Sequence, residues 1–473
     1  MLRPKADGGC LLGAEVGTGK TLISLEFCRR YNAQVILAVV PKNTIPQWAE
    51  TAERLGLDLP VRQISSTKAG MAAMSDLKWV RRGLYLITHQ LFEAWSWREE
   101  PVIDRKTKKQ RIEPKTGKLM TRKVNDDTWD LPMDVLIVDE VHRASNVSGW
   151  THKALMNARA TYKIGASGTF EGNGFDGAYA VTKWLWPHRA ETNIYDWRHK
   201  WAETEYDHFA VRNEKTIGEK NPGAFVSSLP CYVMIENGLP EPEMHELWVD
   251  LYSDQRRVYD ELDKKMVAWI NDNPLVTSIS ITRRIRQRQC TLAMLTPVYD
   301  EQDPNLLVDV LFDKDAESVK ADAIIELLHK KVKGTALILT DFQKFAALLT
   351  HRLNDEFGEG TAAEWSGAVN EKTRAEVKAN FIGGNLRIIV GVISAMGTGT
   401  DGLQLACQDL IFASRADSRI DNEQGIGRLN RRGQTKQVRV WQFLARDTID
   451  GGQLSNQVQA ALAANKRRKK AKR

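Results

Sequence analysis

The sequence predicts an α/β protein with two lobes, each a parallel sheet flanked by helices. Three observations carry this expectation. A glycine-rich loop near the start sits between an apolar run and a stretch with helical spacing, as in a strand–loop–helix unit. A further apolar run, residues 135–138, ends on paired carboxylates, the pattern of a buried parallel strand delivering acids to the carboxyl edge of a sheet. The 473 residues exceed what one core usually serves, and a new helix-then-strand pattern starts near Ser318.

The first element is the loop GAEVGTGKT, residues 13–21. A phosphate-binding loop of the form G-x-x-x-x-G-K-[ST] asks for glycine at position 14, where this chain has Ala14, so the strict pattern misses by one methyl group. Everything else is present. Gly17 and Gly19, on either side of Thr18, let backbone amides turn toward phosphate, Lys20 reaches the β and γ oxygens, and Thr21 offers a hydroxyl to Mg²⁺. CLLG before the loop reads as a buried strand and TLISLEFCRRY after it as a helix. QVILAVV supplies the second strand of a βαβ unit.

The next chemical element is MDVLIVDEVH. Val135 to Val138 read as a strand, with Asp139 and Glu140 at its carboxyl end. Asp139 is the candidate Mg²⁺ holder and Glu140 the candidate general base for an attacking water. A nucleotide loop plus such a pair points to hydrolysis of ATP with Mg²⁺.

Charge is unevenly spread. The net +7 includes seven cations in the tail NKRRKKAKR, among them Lys466 and Arg467, and nine cations against the single acid Glu113 in residues 105–123, so the remainder is acidic. Two basic segments on an acidic body predict local contacts with a polyanion. Five cysteines without a C-x-x-C pair suggest neither a zinc cluster nor a disulfide framework, and a reducing compartment is expected. No apolar run approaches the length of a bilayer span and no secretory leader is seen, so a soluble intracellular protein without membrane contact is expected. The cytoplasm is the expected compartment, with the nucleus allowed by the basic tail.

DEVH, the alanine-initiated phosphate loop and GIGRLNRRGQ together resemble helicase superfamily 2, and within it the Swi/Snf-type ATPases. The resemblance runs from about residue 10 to 450. VVPKNTIPQW, with Pro41 and Lys42, and LITHQLF, with Thr88, resemble the family's nucleic-acid-facing motifs. GASGTFEGN is similar to the motif coupling hydrolysis to domain movement: Ser167, Gly168 and Thr169 stand in the coupling positions, and Phe170 stands where proline is usual. His142 takes a coupling role by the same resemblance. LPEPEMHELWVDLYSDQRRVYDEL, with Gln255 and Tyr259, resembles the linker between motor lobes, and ITRRIRQRQC follows it. Arg283, Arg284, Arg286 and Arg288 load that second stretch with charge suited to a phosphate backbone.

In the second lobe, SVKADAIIELLHKKVKGTALILTDF reads as a helix, from the spacing of Ile324, Leu327 and Leu328, followed by a buried strand. DGLQLA places Gly402 in a nucleotide-binding position and Gln404 where the family shows asparagine, a position that the resemblance implies for nucleic-acid contact. In QGIGRLNRRGQ, Arg428 and Arg431 lie three apart and are expected to share a helical face, clamping a γ-phosphate, with Gln424 on the nucleotide. The resemblance implies two RecA-like lobes of the P-loop NTPase class joined by a helical linker: residues 1–225, with a charged insertion at 98–128 expected as a β-hairpin or mobile loop; a helical linker region, 226–315; a second lobe, 316–455; and a basic tail, 456–473. The adenine-recognising glutamine that family members carry upstream is missing here, although Leu2, Arg3 and Pro4 are present. Most tryptophans, such as Trp184 and Trp186, sit in apolar runs and are expected in the core.

The function this implies is a monomeric, ATP-dependent translocase on double-stranded DNA that remodels protein–DNA complexes, with a protein partner supplying specificity. Single-stranded DNA or RNA remain alternative tracks. The alternatives are a strand-separating helicase of replication, recombination or repair, and a clamp that binds nucleic acid and ATP without turnover.

Overall fold

Strands that are apolar at consecutive positions must bury both faces, and helices packed on each side are the usual way to do so. The computed structural model describes residues 8–15, 17–104, 110–113, 118–172, 174–207, 213–265, 267–270, 273–276, 280–300, 307–397 and 401–452. The chain divides into two compact units that part between Glu236 and Asn237.

The first unit contains β1 (Gly9–Ala14), β2 (Val35–Val40), β3 (Val61–Gln63), β4 (Gly83–Thr88), β5 (Trp97–Pro101), β6 (Thr121–Asn125), β7 (Met133–Asp139), β8 (Ala160–Ser167), β9 (Ala202–Tyr206), β10 (Glu214–Glu219) and β11 (Tyr232–Ile235). Seven of them form a wholly parallel sheet in the order β11-β1-β8-β7-β2-β4-β3. Alternate residues serve two cores. Leu37, Val39, Leu136 and Val138 pack on one face, and Ile36, Ala38, Val135 and Ile137 on the other. Fully burying one such side chain stabilises the fold by about 1.5–3 kcal/mol. Trp184 and Trp186 lie in the first core, as expected.

Within the charged insertion, β5 and β6 pair antiparallel, and the connection between them folds back on itself, its reversals closed by the separate bridges Ile103↔Gln110 and Ile112↔Leu119. The insertion is therefore a hairpin, although its KTGK turn lies mostly outside the described residues. Trp129 anchors its base, stacked 4.7 Å from Phe92 and donating from Nε1 to the Phe92 carbonyl and the Ser96 hydroxyl.

The second unit contains β12 (Glu243–Val249), hairpin β13 (Val267–Ile270) with β14 (Asn273–Val276), hairpin β15 (Thr296–Tyr299) with β16 (Leu307–Leu311), β17 (Ala336–Thr340), β18 (Ala362–Trp365), β19 (Ile388–Val392), β20 (Asp409–Phe412) and β21 (Arg439–Ala445). Its main sheet is again wholly parallel, in the order β12-β21-β20-β17-β19-β18. The helix Val319–Lys330 is capped by Ser318, whose hydroxyl accepts from the Ala321 amide, and it buries Ile324, Leu327 and Leu328. Lys320 on that helix is fully buried, 2.7 Å from Asp450 and 3.1 Å from the Ala413 carbonyl.

The expected boundaries need correction. Residues 226–236 do not begin a helical linker: they deliver β11 to the edge of the first sheet. Residues 243–249 deliver β12 to the edge of the second, beside β21. Between them and residue 315, the helices Ser253–Lys265 and Ser280–Cys290 alternate with two hairpins. The helical reading failed because a four- to seven-residue strand completing a sheet at its edge leaves no periodic signal of its own. Among the described residues no helix is long and apolar enough to cross a membrane.

Candidate functional site

Sheet order explains why residues far apart in sequence meet. β1, β8 and β7 are neighbours, so their carboxyl ends bring together the segment after Ala14, Ser167 with its followers, and Asp139 with Glu140. In open parallel sheets ligands bind at this edge.

The loop after β1 turns through Gly17 (φ 78°) and Gly19 (φ 88°), left-handed conformations that favour glycine. A Cβ added at Gly19 would have nothing closer than Leu22 at 3.9 Å, so the requirement there is conformational. Thr18 donates from its hydroxyl to the Glu15 carbonyl at 2.8 Å. Gly19 then caps the helix Lys20–Tyr31 without a side-chain hydrogen bond, leaving the amino end of that helix, with Thr21 in its first turn, uncovered by any capping side chain. Lys20 Nζ lies 3.3 Å from the Ala14 carbonyl and 3.8 Å from Glu140 Oε1.

Asp139 ends β7 as a buried carboxylate, and its Oδ1 accepts from the Glu140 amide at 3.0 Å. Glu140 itself has a left-handed backbone (φ 52°), a conformation that costs a non-glycine residue of order 1–3 kcal/mol. That strain aims its side chain between Lys20 and His142. His142 Nδ1 is 3.2 Å from Glu140 Oε2 and 3.0 Å from Ser167 Oγ. An ionised carboxylate only accepts, so Nδ1 carries the proton. Ser167 Oγ in turn accepts from the Thr169 amide at 3.1 Å. A continuous polar chain thus runs from Lys20 through Glu140, His142 and Ser167 to the backbone of Thr169. Gly168, between the last two, approaches the phosphate-loop strand so closely that an added Cβ would lie 3.2 Å from the Ala14 carbonyl. Phe170 fills the core and meets Tyr232 edge-on at 6.0 Å.

The electrostatics divide the two acids. Burial and the adjacent Glu140 raise the Asp139 carboxyl, with Lys20 opposing. Burial pushes Glu140 the same way, but Lys20 and His142 outweigh it and hold Glu140 below the usual carboxylate range. At neutral pH Glu140 is therefore a charged acceptor. One participant escaped the sequence reading. His89, buried after Thr88, has Nε2 2.8 Å from the Asp139 carbonyl, which can only accept, so this nitrogen carries the proton. Burial drives this imidazole down to about 3, keeping it neutral. Its place directly after Thr88 in LITHQLF was the available signal.

Pro41 and Lys42 follow β2, and Thr88 ends the neighbouring β4. Lys42 is exposed, whereas Thr88 is half-buried and its hydroxyl caps the helix His89–Ala94 by accepting from the Leu91 amide at 3.2 Å.

In the second unit two expectations change. Arg428 and Arg431 do not share a helical face: the helix Arg419–Ile426, which carries Gln424, stops before Gly427, and both arginines lie in the tight turns beyond it. Spacing alone concealed this stop. Arg431 pairs with Asp401, next to Gly402, which begins the short helix Leu403–Ala406. Gln404 is mostly buried; its oxygen accepts from the Gly402 amide at 2.9 Å and its nitrogen donates to the Arg432 carbonyl at 3.3 Å. Its amide therefore ties two motifs together instead of reaching outward.

The arginines of helix Ser280–Cys290 also divide. Arg284 is exposed and 3.0 Å from Asp417, and Arg283 donates to the Asp263 carbonyl at 3.3 Å. Half-buried Arg286 donates to Gln289 at 2.8 Å, and burial lowers its pKa. Arg288 is buried, 2.7 Å from Asp341 and 3.0 Å from Asp417, so it serves the interior, not a phosphate backbone. Lys466 and Arg467 lie outside the described residues.

The SNF2-related domain family matches residues 1–294. The chain is 22% identical over 455 residues to the "Protein CHROMATIN REMODELING 4" of Arabidopsis thaliana, covering 93% of this chain but 19% of that protein, so it spans about a fifth of that relative's length. It is 21% identical over 471 residues to the "Uncharacterized ATP-dependent helicase YqhH" of Bacillus subtilis (strain 168), covering 94% of this chain and 74% of that protein. Among solved structures, the "Sulfolobus solfataricus SWI2/SNF2 ATPase core in complex with dsDNA" is 14% identical and aligns over 98% of this chain and 92% of that one, with a TM-score of 0.35. With the family match extending over more than half of its length, the chain belongs to the SNF2-related family, the Swi/Snf-type ATPases of helicase superfamily 2.

Proposed function

We propose that the protein is an ATP-dependent double-stranded DNA translocase of Swi/Snf type, coupling hydrolysis to movement along the duplex and remodelling of protein–DNA complexes. The observation that carries this reading is the polar chain from Lys20 through Glu140 and His142 to Ser167, because it joins the phosphate-loop lysine and the candidate base to the segment that the resemblance gives a coupling role. Family membership and the names of both relatives, one a chromatin remodeller and one an ATP-dependent helicase, support it.

The residues fit a magnesium triphosphate. Left-handed Gly17 and Gly19 and the uncapped amino end of helix Lys20–Tyr31 offer an anion cradle, and Thr21 and desolvated Asp139 offer oxygen ligands. Held by Thr21 and Asp139, Mg²⁺ would supply positive charge that offsets the triphosphate. Lys20 exchanges its loose contact with Glu140 for the β and γ oxygens, and Glu140, still hydrogen-bonded by His142, accepts a proton from the attacking water. His142 holds the orientation of Glu140 and passes a change in it to Ser167. Arg428 and Arg431 take the arginine-finger role, worth about 10³–10⁵ in rate. Pro41, Lys42, Thr88, Arg283 and Arg284 are the proposed nucleic-acid contacts.

The test compares ATPase rates without nucleic acid and with single-stranded DNA, duplex DNA and RNA. Duplex DNA should stimulate turnover most. Stimulation by single strands or RNA with none by duplex would overturn the reading, and separation of a forked duplex would favour the strand-separating alternative.

A further inference from the structure

Two cysteines far apart in sequence meet beneath the phosphate loop. Cys10 lies on β1 and Cys231 immediately precedes β11. The register Leu11↔Tyr232 sets them side by side, with Leu11 donating to the Cys231 carbonyl at 2.9 Å and the two Sγ atoms 3.0 Å apart. Adjacent strands run about 4.8 Å apart, inside the Cα separation of roughly 4.4–6.8 Å that a disulfide spans. Exposure assigns the order of attack: Cys231 is half-buried and reachable, while Cys10 is 2% exposed. The hydrogen bond between them lowers the Cys231 thiol below its usual range; that bond, then burial, raises Cys10. The other cysteines, Cys28, Cys290 and Cys407, are buried and pushed up to about 12 by that burial, so they are poor competitors.

The site matters because β11 also braces the nucleotide loop, its Ile235 carbonyl accepting from the Glu15 amide at 3.0 Å. We propose that Cys10 and Cys231 are a redox-responsive pair that a low-molecular-weight disulfide of the glutathione type oxidises to an intramolecular disulfide, stapling the phosphate-loop strand to the edge strand at its side. The Cys231 thiolate attacks one sulfur of the small disulfide and expels one thiolate. Cys10 then attacks the Cys231 sulfur of the mixed disulfide, and its proton goes to the second departing thiolate. Overall the protein loses two electrons and two protons, and one small disulfide becomes two thiols.

The experiment treats the native protein with oxidised glutathione and maps an unreduced digest by mass spectrometry, with thermal unfolding measured alongside. The expected result is a linkage of the Cys10 and Cys231 peptides that dithiothreitol reverses, and a melting midpoint higher by about 2–8 °C in the linked form. Cys28→Ser should leave the linkage intact and Cys231→Ser should abolish it; if the latter does not fold, the wild-type digest still decides. A persistent glutathione adduct on Cys231, no reaction at either cysteine, a linkage to a different cysteine, or a linkage that leaves the midpoint unmoved would each overturn the proposal.

Discussion

His142 Nδ1 stands 3.0 Å from Ser167 Oγ while lying 3.2 Å from the Glu140 carboxylate, so one ring touches the proposed base and the carboxyl end of β8. Removing the ring should spare nucleotide binding and damage coupling. We expect His142→Ala to keep ATP affinity within about threefold while DNA-stimulated turnover falls about tenfold or more, a change of ~1.4 kcal/mol in the barrier. Equal losses in basal and stimulated rates would assign His142 to chemistry instead.

Glu140→Gln keeps the shape and removes the charge that Lys20 and His142 stabilise. Nucleotide titration should show retained binding, with hydrolysis reduced about 10²–10⁴-fold, the usual contribution of a general base. Lys20→Ala should lose both. Turnover unchanged in the glutamine variant would remove Glu140 from the proposed role.

Acid should weaken the fold through its buried histidines. Burial brings His89 down to about 3 and His152 to about 4, while an unfolded histidine titrates near 6.5. Between these values the unfolded chain binds more protons, so stability is full above about pH 6.5 and falls by about 1.4 kcal/mol per pH unit for each histidine below it. Urea unfolding at pH 7 and pH 5.5 measures the slope. His89→Gln should make it shallower by about one histidine's share; parallel slopes would contradict the assignment.

Lys320, fully buried, and Asp450, mostly buried, form an ion pair in the interior. Lys320→Met leaves the Asp450 carboxylate without its counter-charge, held only by the Ala445 amide at 3.0 Å, and should cost about 3–5 kcal/mol in denaturant unfolding. Adding Asp450→Leu should recover part of the loss. A single variant as stable as the parent would show that the pair carries little.

Deleting residues 465–473 removes seven cations. Duplex affinity should fall and its dependence on salt should flatten, since each neutralised phosphate releases counter-ions. An unaltered salt slope would make the tail a bystander.

Much of this was legible in the sequence. Consecutive apolar residues in VILAVV and VLIVD announced buried parallel strands, and GKT and DEVH announced the chemistry at their ends. What escaped were facts of long-range register. Nothing local distinguishes YVMI as an edge strand beside β1, and no spacing rule pairs Cys10 with Cys231. Arg288 resembled its neighbours in sequence, yet Asp341 and Asp417 draw it inward. Arg428 and Arg431 were misplaced because the helix ends at Gly427, a glycine stop that the three-residue spacing of the arginines passed over.

The second sheet places β12, its earliest strand, beside β21, its last. A ribosome releasing about 5–20 residues per second therefore leaves β12 waiting on the order of ten seconds or more for its neighbour, with a bare strand edge exposed meanwhile. Nascent chains arrested before residue 439 should accordingly be protease-sensitive and prone to associate through that edge, and a severed second half will fold alone only if cut ahead of Glu243.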